Sequence, residues 1–391
     1  MRRLIFGGVL IALLFVAGCS TGSGKLDLPG LPAGESDLPA MEWRGVWLRP
    51  PEDPDEIPEV LDNIKEAGFN VIYLETFYHG FVIYPGSNFP QRPSFKGKDV
   101  LREFLDGAHR RGIAVHCWTE VFYWQVDTEK YPDLPYSPVL DNHPEWKLLT
   151  KKGETTDVSE NAHIFADPAN PEVQDFLLKF YADLVERYNI DGVNLDYIRY
   201  SAGSQDAGYT DYARSAFKDQ YGIDPMNIDS QKDREEWMTW VKWREEQVTG
   251  FVKQVRDLFE VKSPDIALSA AIFPGYYNQR GEMSTLQDWA EWIAKGYIDI
   301  IIPMAYAPSL EGIQGEIRMV QTRLAGRVLL MPALAISITE GDAYGGANHP
   351  PIDDQITMVR EMGLPGHSVF CYGWILKNTR GFNAFSGVYD K

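Results

Sequence analysis

Residues Asp191–Tyr200 read DGVNLDYIRY. An amphipathic pattern over Leu177 to Tyr188 ends just before them, so the stretch begins where a helix stops. The short run Val193-Asn194-Leu195 then closes on an acid, Asp196, followed by an aromatic, Tyr197, and a base, Arg199. A parallel strand covered on both faces reads as a nearly continuous apolar run. Polar side chains gathered at its C-terminal end add nothing to that packing, and this end is where α/β folds place ligands and chemistry. The stretch predicts a parallel strand that carries Asp196 into a site.

Outward from this strand the same unit repeats. Toward the N-terminus lie strand patterns at Trp43–Leu48, Asn70–Phe77 (NVIYLETF) and Ile113–Val121 (IAVHCWTEV). Helical patterns over Pro54–Ala67 and Asp99–Arg111 separate them, closed by Gly68 and Gly112. An irregular stretch, 122–170, dense in Tyr, Trp, Pro and Asp, precedes a helix entered through Asp167-Pro168 and Pro171. Toward the C-terminus, helical patterns at 209–221 and 231–260 lead to strands at Ile266–Phe273, Ile298–Tyr306, Val328–Ile336 and Ser368–Leu376. Helices over Ser284–Lys295, 309–325 and Ile352–Met362 lie between those strands. Eight such units predict a single-domain (β/α)8 TIM barrel with long βα loops and a short or missing last helix.

Composition agrees with one large core: 391 residues, 44% hydrophobic and 24% charged. A formal charge of −19 repels phosphate backbones, and no basic stripe offsets it, which argues against nucleic acid as a partner. The N-terminus has a leader pattern. Arg2-Arg3 precedes an apolar run from Leu4 to Val16 and then Ala17-Gly18-Cys19, a bacterial lipobox. Cleavage after residue 18 and lipid on Cys19 are predicted, and the run is short for an uncleaved transmembrane helix. Residues 19–41 then form a lipidated Cys and flexible tether, and 42–391 the barrel. The predicted location is the cell envelope, with Ser20 favouring the outer membrane facing the periplasm. Cys117 and Cys371 sit in apolar strand patterns and read as buried thiols, not a disulfide.

A barrel predicts chemistry at the βα junctions. Arg44 and Arg49 stand near strand one, Tyr73 and Glu75 on strand two, and His116, Trp118 and Glu120 on strand three. Strand four brings Asn194 and Asp196, with Arg199 beyond; strand six brings Met304 and Tyr306, and strand eight Tyr372 and Trp374. Alternation puts Tyr73 with Glu75, His116 with Trp118 and Glu120, and Asn194 with Asp196 on shared faces. Three carboxylates, Glu75, Glu120 and Asp196, therefore converge on neighbouring strands. Two carboxylates flanking a scissile bond are what glycoside hydrolysis needs, and mutual repulsion splits their proton affinities. Strand-end acids also cap helices or pair with arginine, a reading open for Glu75. Asp191 and Asp167 read as turn or cap residues. Among aromatics, Trp118, Phe122, Trp146 and Trp374 are candidate sugar platforms, with the loop residues Tyr123, Trp124, Tyr276 and Tyr277 favoured for ligand contact. Seven scattered histidines lack metal-ligand spacing, and no serine elbow, P-loop or GxGxxG follows a strand, so neither metal nor cofactor is predicted.

The segments EWRGVWL (Glu42–Leu48), GFNVIYLETF, GIAVHCWTEV, the Asp167-Pro168…Pro171-Glu172-Val173 helix entry and above all DGVNLDYIRY resemble the glycosyl-hydrolase-like family ten domain. The resemblance spans residues 41–380. Bacterial lipoproteins of that group include a divisome-associated hydrolase of denuded peptidoglycan glycans. The resemblance implies a (β/α)8 glycosidase acting on cell-envelope polysaccharide, with peptidoglycan strands stripped of peptides as the indicated substrate. DGVNLDY is also similar to the DGxDxDxE strand of family eighteen chitinases, and PMAY and YGW to their strand-six and strand-eight elements. Ile198 stands at the chitinase proton-donor position, so the acid must come from Glu120 or Glu75.

The roles expected are Asp196 as nucleophile or base, Glu120 as acid, and Glu75 tuning or replacing one of them. Arg44, Arg199, Asn194 and Tyr306 would orient sugar hydroxyls or a muramyl carboxylate, with Tyr73, His116, Trp118 and Trp374 lining the substrate. Expected partners are a polysaccharide, the membrane through Cys19, and envelope or division proteins, for a monomeric chain. Two other readings stay open: a non-catalytic carbohydrate-binding lipoprotein, and a hydrolase of an imported polysaccharide.

Overall fold

A computed structural model describes residues 41–155, 163–201, 206–277, 285–324, 328–338 and 348–389. The leader, Cys19 and the tether up to residue 40 lie outside them, as do the side chains of Tyr276 and Tyr277. Eight parallel strands form: β1 (Trp43–Leu48), β2 (Val71–Tyr78), β3 (Ala114–Glu120), β4 (Gly192–Asp196), β5 (Ala267–Ile272), β6 (Ile300–Ala305), β7 in two pieces (Leu329–Leu330 and Ala333–Ala335) and β8 (Gly366–Phe370). Each pairs with the next in sequence, and β1 pairs with β8, which closes the barrel. The break in β7 falls at Met331-Pro332, where proline has no N–H to give the ladder.

Helices cover the outside: α1 (Ile57–Glu66), α2 (Val100–Arg110), α3 (Pro171–Arg187), α4 (Arg234–Lys262), α5 (Trp289–Lys295), α6 (Leu310–Gln321), α7 (Ile352–Glu361) and α8 (Tyr372–Lys377). Local chemistry sets several starts. Asp99 caps α2 by accepting from the Arg102 N–H, and Ser309 caps α6 by accepting from that of Gly312. The cap of α3 is Asn170, with Pro171 in the first turn, and not Asp167. Asp167 instead turns the chain ahead of the helix by accepting from the Ala169 N–H at 3.0 Å.

Two segments depart from the sequence reading. Strand eight stops at Phe370, because Tyr372, Trp374 and Ile375 bury one side of a helical turn. The Trp374 and Ile375 N–H groups both donate to the Cys371 carbonyl at 2.9 Å. The stretch after β3 holds an antiparallel ribbon, Tyr123–Val126 against His163–Phe165. Tyr123 and Trp124, expected to contact ligand, are buried in it, with the Trp124 indole donating to the Val121 carbonyl.

The barrel interior is packed by alternate residues. Trp43, Trp47, Tyr73, Trp118, Ile300, Ile302 and Met331 form an apolar cluster separate from the one under the helices. Large rings lie opposite glycines: a Cβ on Gly45 would fall 2.8 Å from the Tyr73 ring, and one on Gly192 2.3 Å from His116 Nδ1. Tyr73 and His116, expected at the substrate, are therefore core. They pair with each other one pleat below Glu75 and Trp118, and neither is exposed. Arg44 is also displaced from its expected role. It alternates outward between Trp43 and Gly45, and its guanidinium lies 5.0 Å from the Tyr389 ring near the C-terminal end of the chain.

Candidate active site

A cleft of about 1000 Å³ opens at the C-terminal ends of the strands. Its floor is aromatic. Trp47 meets Trp118 edge-on at 5.0 Å, Phe370 lies 6.2 Å from Trp118, and Tyr306 and Trp374 flank Phe370 at 5.9 and 5.3 Å. Trp374 reaches the cleft from α8, so the premature end of β8 supplies part of the wall.

Glu120 and Asp196 stand over this floor. They are register partners on β3 and β4 and share the inward face, which places them on strands about 4.8 Å apart. Both line the cleft while retaining little exposure, 3% and 8%. Their donors are backbone and indole N–H groups. Asp196 accepts from Trp118 Nε1 at 3.0 Å and from its neighbour's amide, Tyr197 N–H, at 2.7 Å. Glu120 accepts from the His79 N–H at 2.9 Å. Tyr197 and His79 are held at φ 48° and 51°, the left-handed region that non-glycine residues seldom occupy. At each carboxylate the donating backbone is thus an unusual one, as at many functional sites.

The two acids differ in proton affinity. Burial pushes Asp196 up to about 6, while Arg199, the Tyr197 N–H and the Trp118 indole hold it back. Burial and the nearby Glu75 charge push Glu120 well above the usual carboxylate range, against the opposing pull of Arg49. Of the two, Asp196 is therefore the one that gives up its proton more readily, and Glu120 the one that holds it. A carboxyl whose affinity is raised in the folded state stabilises the fold below its unfolded value, and that contribution is lost as pH rises through the folded one. Asp196→Asn removes this titration, so relative to the wild type it is expected to gain on the order of 3 kcal/mol between acid pH and pH 7.5. Urea denaturation of both forms at pH 4 and pH 7.5 measures it.

Glu75 lies behind this pair. It is fully buried and makes a two-pronged ion pair with Arg49, through Nε and through Nη2, the latter at 2.9 Å to Oε1. Arg49 lines the cleft and Glu75 does not. Asn194, also expected at the substrate, is fully buried and donates to Ser269 Oγ at 2.9 Å below the rim. Arg199 and Tyr306 do line the cleft. The Arg199 guanidinium lies 4.6 Å from the Tyr197 ring and 5.1 Å from that of Phe273. Burial and the neighbouring Asp196 keep the Tyr306 hydroxyl protonated. The structure thus brings together Asp196, Glu120, Trp118, Arg199, Tyr306 and Trp374. Trp47, Phe273 and Tyr372 join them without having been singled out for substrate contact, and Arg49 takes the place expected for Arg44.

A (β/α)8 barrel with two inward carboxylates of unlike proton affinity above an aromatic floor has the makings of a glycoside hydrolase. The chain belongs to the glycosyl hydrolase-like 10 family, whose model matches residues 40–341, and it is an enzyme of the glycosidase class. It is 22% identical to Glycosyl hydrolase DigH of Escherichia coli (strain K12), over 77% of this chain and 74% of that one. It is likewise 22% identical to Glycosyl hydrolase YngK of Bacillus subtilis (strain 168), over 75% of this chain and 59% of that one. Among solved structures, the PgaB (BpsB) glycoside hydrolase domain from Bordetella bronchiseptica superposes with a TM-score of 0.65 at 16% identity. That match covers 90% of this chain and 100% of the domain, and supports the fold.

Proposed function

We propose that this protein is an envelope-anchored glycosidase that hydrolyses peptidoglycan glycan strands lacking stem peptides. The observation that carries the chemistry is the register pair Glu120–Asp196, held at one cleft with unlike proton affinities. Glu120, the carboxyl that holds its proton more tightly, gives it to the leaving glycosidic oxygen. Asp196, ionised, attacks the anomeric carbon or draws a proton from the attacking water. Glu75 acts from behind: its charge is one reason Glu120 stays protonated, and its ion pair fixes Arg49. Trp118 and Trp374, which line the cleft, are the rings set against the apolar side of a pyranose.

The substrate and the anchor rest on the sequence: the family resemblance and the Arg2–Cys19 leader pattern. Strand β1 is entered at the end of the barrel opposite the cleft. A Cys19→Ala variant is expected to leave the membrane fraction for the soluble one; retention there would sink the anchor.

The pH profile tests the acid and base roles. For kcat/KM, activity should rise as pH climbs through about 6, where Asp196 ionises, and fall on the alkaline side as Glu120 loses its proton. The alkaline limb should move to lower pH in Glu75→Gln, because a charge that holds Glu120 protonated is gone. An alkaline limb unmoved by that substitution would show that Glu120 is not the acid.

A further inference from the structure

We infer that Arg49 determines specificity by binding the lactyl carboxylate that a muramyl residue exposes once its stem peptide is removed. This rests on the denuded-glycan reading and gives it a physical cause. In intact peptidoglycan the peptide is joined to the lactyl carboxyl through an amide, which is neutral. Hydrolysis of that amide leaves a carboxylate on every muramyl ring, so denuding a strand creates an anionic handle.

Arg49 is placed to recognise it. Register pairing of Leu48 with Leu74 puts Arg49 beside Glu75, and the two-pronged ion pair fixes the guanidinium in one plane. The Tyr78 ring lies 5.2 Å from it. Yet 43% of the Arg49 side chain stays exposed, and it lines the same cleft as Glu120 and Asp196. A guanidinium presents a planar fork of donors that matches the two oxygens of a carboxylate. Among the described residues the other arginine of the cleft, Arg199, is only 4% exposed and packs among Tyr197, Phe273 and Phe165, which suits it to shaping Asp196. Lys377 stands at the outer end of α8, where a flexible ammonium gives no such geometry. Because Glu75 balances the Arg49 charge at a distance, recognition acts through contact and not through long-range steering.

The test compares two substrates on the full-length protein: amidase-treated glycan strands, and the same strands with every lactyl carboxyl coupled to methylamine. The wild type should lose about 10- to 100-fold in kcat/KM on the neutralised strands, the span of one charge-assisted contact. In the double variant Arg49→Met/Glu75→Gln, which leaves no buried charge orphaned, that ratio should fall toward one, chiefly through KM. Arg49→Lys should keep part of it. The ratio is the readout, so any general loss from a retuned Glu120 cancels. Equal cleavage of both strands by the wild type, or an undiminished ratio in the double variant, overturns the role of Arg49 alone. No cleavage of the denuded strands overturns the substrate reading and this inference with it.

Discussion

Asp196→Asn and Glu120→Gln should each lower kcat/KM on denuded glycan strands by about 10³-fold or more, the range seen when a proton-transfer group or nucleophile is removed. Both substitutions keep size, and Glu120→Gln keeps an oxygen for the His79 donor, whereas the Trp118 and Tyr197 donors meet different oxygens of Asp196, so Asp196→Asn leaves one of them facing the amide NH2. The two should fail differently. Without its acid the enzyme still has a nucleophile or base, so Glu120→Gln should recover much of its rate on an aryl glycoside whose phenolate leaves unassisted. Asp196→Asn should recover nothing there. The double variant should be little worse than the poorer single one, since the pair acts as a unit. Equal recovery by both on the aryl glycoside would mean that the roles are not those of acid and partner.

Gly192→Ala should unfold or severely destabilise the barrel, by more than about 3 kcal/mol. The added methyl would fall 2.3 Å from His116 Nδ1 and 2.4 Å from Cε1, far inside contact distance. The ring has nowhere to go: it is fully buried, 5.1 Å from Trp43 and 5.5 Å from Tyr73, in a close-packed interior. Truncating the obstacle should restore part of the loss, so His116→Ala/Gly192→Ala should fold better than Gly192→Ala. Thermal unfolding of the three proteins reads this out. A Gly192→Ala protein as stable as the wild type would mean that His116 is not packed against that strand.

The barrel and the core of the site were legible because both depend on short-range rules. Parallel strands buried on two faces show as apolar runs, and all eight could be placed, seven of them within a few residues. Alternation along β3 and β4 then put Glu120 and Asp196 on one face, as their register pairing shows. What failed was depth along a strand and direction off its end. Tyr73 and His116 share the inward face with the acids but sit one pleat lower, where rings fill the barrel and do not meet ligand. For Arg44 the alternation was available: with Trp43 and Trp47 inward, residue 44 must face out, and the first polar position past the strand is Arg49. Strand eight was overrun into α8 because SVFCYGWIL is apolar throughout, and a short apolar run does not distinguish strand from helix. Tyr123 and Trp124 were misread as ligand contacts because a ribbon closed by residues some forty positions later buries them.

The most direct test counts new reducing ends from peptidoglycan sacculi before and after amidase treatment, using the soluble chain from residue 20 onward. The wild type should release them from the denuded strands and not from the intact ones, and Asp196→Asn from neither. Release from both materials alike, or from neither, would contradict the assignment to denuded glycan; undiminished release by Asp196→Asn would contradict the site itself.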